Sequence, residues 1–90
     1  MRVTETKFTR TRAMAVKSAV LAAARAGDSV LDLQSVTSAD SSAVAVVLAW
    51  VRVVQAAGRT PVLKNVPVKM TALMELYGIT ELLSGFVATE

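Results

Sequence analysis

The chain has 90 residues, 53% of them apolar and 19% charged, with no cysteine, no histidine and a formal charge of +3. That length predicts one domain with a small core, 1–90, and the absent residue types exclude disulfides, thiolate chemistry and imidazole acid–base catalysis. The charge is uneven: Arg2, Lys7, Arg10, Arg12, Lys17 and Arg25 stand against Glu5 alone over residues 1–25, a local +5, which leaves −2 for the rest. Such a basic end suits phosphates, lipid headgroups or an acidic protein surface. Phe8 is the one aromatic residue among these cations, too few for the stacking platform a nucleic-acid partner would want, so such a partner is not expected.

In chain order, residues 2–9 alternate in part (Val3, Glu5, Phe8) and predict an edge strand. Residues 11–26 are rich in alanine, carry Met14, Val16, Val20 and Ala24 near helical spacing, and stop at Gly27, which predicts a first helix. Residues 29–33 form a short apolar strand of the kind covered on both faces. A polar turn follows at 35–38, then a second helix over 41–57. Residues 60–65 predict a third strand, with Pro61 near its start. Pro67 fits the first turn of a third helix ending at Gly78, and a last short helix is expected near 80–84. This order predicts an α/β domain: a small, mixed, largely parallel sheet with helices packed on it and a shortened N-terminal strand region.

The junction at 38–51 (SADSSAVAVVLAWV) carries the most functional information. Asp40, Ser41 and Ser42 are side chains that satisfy the unpaired N–H groups of a helix start, and a helix N-terminus also favours an anion such as a phosphoryl group. Ser41 and Ser42 are therefore candidate phosphorylation or regulatory hydroxyls, and simple capping explains the same residues. Behind them the second helix is apolar on two lines: Val44, Val47, Leu48 and Val51, and Ala43, Val46, Trp50, Val53 and Ala57. One sheet needs one line. The other predicts a partner surface or a cover from within the chain, and tryptophan is enriched at interface hot spots. On the third helix Met70, Leu73 and Tyr77 are expected to face the core, with Met74 to the side.

The run from Val30 to Val44 (VLDLQSVTSADSSAV) resembles the central motif of STAS domains, the family of anti-sigma-factor antagonists, in which a strand ending in Asp-Leu leads through a loop to Asp-Ser or Asp-Thr and a helix. Asp40 matches the motif acid and Ser41 the functionally required hydroxyl. Ala43 stands where many phospho-switching members carry glycine. Asn65-Val66-Pro67 and the segment from Ala72 to Ile79 (ALMELYGI) resemble one branch, the small cytoplasmic STAS subunit of the Mla phospholipid transporter. The resemblance implies a non-enzymatic accessory subunit, with no cofactor and no metal, that binds the ATPase of an inner-membrane ABC transporter within a complex holding the permease. It implies a cytoplasmic protein, peripheral to the inner membrane through that complex. Ser41, Ala43, Val46, Trp50, Met70 and Met74 are the expected partner-facing residues. A soluble anti-sigma-factor antagonist switched by phosphorylation of Ser41 is the alternative, and the N-terminal strand edge offers a route to a homodimer.

Overall fold

The computed structural model describes residues 1–4 and 6–78. The strands form two parallel two-stranded sheets. Strand β2 (Val30–Asp32) pairs in register with β4 (Val62–Lys64), Leu31 opposite Leu63. On its other side runs the N-terminal segment, where Asp32 N donates to the Met1 carbonyl at 2.8 Å and Val3 N to the Asp32 carbonyl at 2.9 Å. The same segment continues as β1 (Lys7–Phe8) and pairs with β3 (Ser38–Ala39), Lys7 opposite Ser38 and Phe8 opposite Ala39. Every named pairing is parallel, so the small α/β fold expected from the sequence is the one observed, with the first strand reduced to short pieces. Ser38 was expected to close a turn; it instead starts a strand with Ala39, because β1 alongside offers both residues backbone partners. Glu5 and the helix expected at 80–84 lie outside the described residues.

The described residues form three helices: α1 (Arg10–Arg25), α2 (Ser41–Ala56) and α3 (Val68–Leu76). Helix α1 turns Ala13, Val16, Val20 and Ala24 inward at helical spacing, and Leu31 of β2, Leu33 just after it and Leu63 of β4 join them. Helix α2 packs against α1 and against α3, which explains its two apolar lines. Val44, Val47 and Val51 are buried, and so are Ala43, Val46 and Trp50. On α3 the inward pair is Met70 and Met74, four residues apart, while Tyr77 is 52% exposed. The expected phase of this helix is thus turned: Met74 belongs to the core and Tyr77 does not.

Helix ends are set by local chemistry. Gly27 (φ 108°) and Gly58 (φ 76°) end α1 and α2 in the left-handed region, and in each case the next N–H reaches back five residues, Asp28 to the Ala23 carbonyl and Arg59 to that of Val54. Pro67 was expected in the first turn of the third helix; it stands just before α3, as its N-cap. Asn65 holds φ 55°, a conformation asparagine tolerates, and its Nδ2 donates to Asp32 Oδ1 at 3.1 Å. Gln34 N donates to the same oxygen at 2.9 Å. The Asn65 and Gln34 hydrogen bonds, with Arg2 nearby, hold the Asp32 carboxyl below its ordinary pKa and tie the end of β4 to that of β2.

Candidate functional site

Helix α2 begins where β3 ends, beside the start of α1. Asp40 is its N-cap, extended at φ −126°, and Oδ1 accepts from Ser42 N at 3.0 Å and from the Ser42 hydroxyl. The other carboxylate oxygen, Oδ2, accepts from Arg10 N at 2.9 Å. Arg10 opens α1, whose own N-cap, Thr9, makes no side-chain capping bond. One carboxylate therefore serves two helix starts, and the positive ends of both helix dipoles meet a single negative charge. The Ser42 hydroxyl, followed by the backbone N–H groups of Arg10, Ser42 and Ala43, holds the Asp40 carboxyl below the ordinary aspartate pKa.

The two serines separate. Ser42 is half-buried and its hydroxyl is committed to Asp40, whereas Ser41, in the first helical position, is exposed. Only Ser41 presents a free face to a kinase or a partner. The chain contains no histidine to act as base for either serine, and the Asp40–Ser42 contact alone does not generate a nucleophile. Among the described residues no group of three or more His, Cys, Asp or Glu side chains is placed to hold a metal ion. The arrangement suits recognition at a helix tip.

A sequence profile of the STAS_2 family, described as Mlab, STAS domain, matches residues 4–84. The chain belongs to the STAS_2 family. No curated protein and no solved structure gives a significant match to it. In this STAS domain Asp40 and Ser41 fall together at the tip of α2, as its N-cap and first residue. The other expected partner-facing residues do not join them on the surface. Ala43, Trp50 and Met70 are fully buried, and Val46 and Met74 nearly so. This corrects the expected patch: the second apolar line of α2 is covered by the domain's own helices, and only Ser41 of the six expected residues is exposed.

Helix α2 does expose one line. Ser41, Ala45, Arg52 and Gln55 recur at steps of four, seven and three, with Ala49 and Leu48 half-buried between them. Small residues on that line let another backbone come close. Sequence reasoning missed it because alanine at 45 and 49 reads as helix filler; the signal was the spacing of the few non-apolar positions in an otherwise apolar helix. The capping of α1 by Asp40 had no sequence signal, since its partner N–H lies 30 residues earlier.

Proposed function

We propose that this STAS domain is a non-enzymatic subunit that binds the ATPase of an inner-membrane ABC transporter for phospholipid trafficking and outer-membrane lipid asymmetry. Its docking line is Ser41, Ala45 and Arg52 on α2. Support comes from the family, whose description names Mlab, and from the Asn-Val-Pro phrase at residues 65–67. One observation carries it: the Ser41 hydroxyl stands exposed at the head of the Ser41, Ala45, Arg52 line, on a helix whose Ala43, Val44, Val46, Val47, Trp50 and Val51 are buried within the domain. Among the described residues no helix is long and apolar enough to cross a membrane, so attachment to a membrane complex falls to a surface of this kind.

Two substitutions test the line without touching the core. Ser41→Asp places an acid in the first turn, which the helix dipole favours, and Ala45→Trp adds bulk to an exposed position, so both proteins should melt within a few degrees of wild type. Each should weaken binding to the ATPase about tenfold, by charge at the tip and by steric clash respectively, with ATP turnover of the assembled transporter falling in step. Undiminished turnover with both variants contradicts the proposal. The exposure of Ser41 also favours a second function, an anti-sigma-factor antagonist switched by phosphorylation there. Incubation with candidate partner kinases and intact-mass measurement separates the two, because a stoichiometric phosphate adduct lost in Ser41→Ala supports the switch.

A further inference from the structure

Helices α1 and α2 pack against each other, carry Arg10, Arg12, Lys17, Arg25 and Arg52, and contain no acid at all. All five cations are exposed. Among the described residues the ion pairs join the Met1 ammonium to Asp28 and Arg2 to Asp32, and Asp40 is consumed in capping, so none of the five pairs with a carboxylate of those residues. A helical layer of one sign costs self-repulsion and concentrates a positive field. The cations are also ordered: Arg10, Met14, Lys17, Leu21 and Arg25 follow each other at steps of four, three, four and four, a single line along α1 about 22 Å long. Within that line Met14 is 74% exposed and Leu21 half-buried. Thus apolar side chains alternate with cations along one flank of a helix lying on the surface of the domain.

We propose that this flank of α1 contacts an anionic membrane surface directly, with Arg10, Lys17 and Arg25 meeting lipid phosphates and Met14 entering the headgroup boundary. Basic amphipathic helices bind in this way, with long cationic side chains at the phosphates and apolar ones just below. Nucleic acid fits the same charge less well. Among the described residues Phe8 and Trp50 are buried and Tyr77 stands just past the C-terminal end of α3, so these residues give the α1–α2 layer no aromatic platform for bases. The proposal stands apart from the transporter assignment: the membrane contact requires only lipid, and ATPase binding is placed on the exposed line of α2.

The experiment is vesicle co-sedimentation of the full chain with phosphatidylcholine alone and with phosphatidylcholine mixed with phosphatidylglycerol. Binding is expected only to the mixed vesicles, and it should weaken as salt is raised. Lys17→Gln with Arg25→Gln should lower the affinity roughly thirty-fold, the effect of two surface cations. Lys64→Gln with Lys69→Gln removes the same charge from β4 and α3 and should bind as wild type does, and thermal melts verify that both double variants fold. Equal binding to both vesicle types, no binding to either, or equal losses in the two double variants would overturn the proposal. So would tighter capture by a polyglutamate peptide or single-stranded RNA, which assigns the face to an acidic protein or to nucleic acid.

Discussion

Trp50→Glu is expected to leave no cooperative unfolding transition at neutral pH, and Trp50→Ala to lower stability by about 3–5 kcal/mol. A domain of this length has roughly 5–13 kcal/mol in total, so the alanine variant should lose a large share of it and the charged variant more. The reason is position: Trp50 is fully buried between the elements that α2 joins, and truncation leaves a cavity that three short helices cannot close. Its indole Nε1 is a buried side-chain polar atom without a hydrogen-bond partner among the described residues. Phenylalanine removes that unpaired donor and keeps most of the apolar bulk, so Trp50→Phe should cost about 1 kcal/mol or less. Thermal melts of the three variants check the order. A melting temperature for Trp50→Glu near that of wild type would mean that Trp50 is on the surface, and that the partner-facing role expected for it should be restored.

The second large effect is at Asp40. Replacing it with alanine removes the cap of α2 and the acceptor for the first N–H of α1 together, and should cost about 2 kcal/mol, or roughly 8–16 °C in melting temperature. An ordinary N-cap replacement costs about half as much, so the excess measures the double role. Asp40→Asn keeps a capping oxygen and should cost less. The pH dependence has a definite sign. Because the folded carboxyl titrates below its unfolded value, its stabilisation is complete at neutral pH and is lost as pH falls below about 4. Asp28, held low chiefly by the Met1 ammonium, and Asp32 act in the same window and direction. Asp40→Asn should therefore flatten part of the acid-side slope. A slope equal to that of wild type would show that folding does not lower the pKa of Asp40.

The three described helices were legible because each signal is local. Periodicity, capping residues and glycine stops predicted residues 41–57 for α2, which runs Ser41–Ala56, and 11–26 for α1, which runs Arg10–Arg25. The short strand β3 was not legible, since two small residues have no periodicity and become a strand only when β1 lies alongside. The two apolar lines of α2 were read correctly as lines; what covers the second is decided by where α1 and α3 pack, which hydrophobic spacing does not encode. On α3 the segment VKMTALMEL is apolar on several faces, so its sequence did not fix which methionines turn inward. The site divides in the same way. Asp40 and Ser41 were visible as a capping pair and a family motif, whereas the bond from Asp40 to the start of α1 depends on tertiary structure alone.

The central claim is that this STAS domain works as a subunit bound to a transporter ATPase. Affinity purification of the tagged full chain from its own cells, with the retained proteins identified by mass spectrometry, tests it most directly. An ABC-type ATPase with its membrane permease, retained in stoichiometric amount and lost with Ala45→Trp, is the predicted result. Retention of a serine kinase or an anti-sigma factor, with no ATPase, would contradict it.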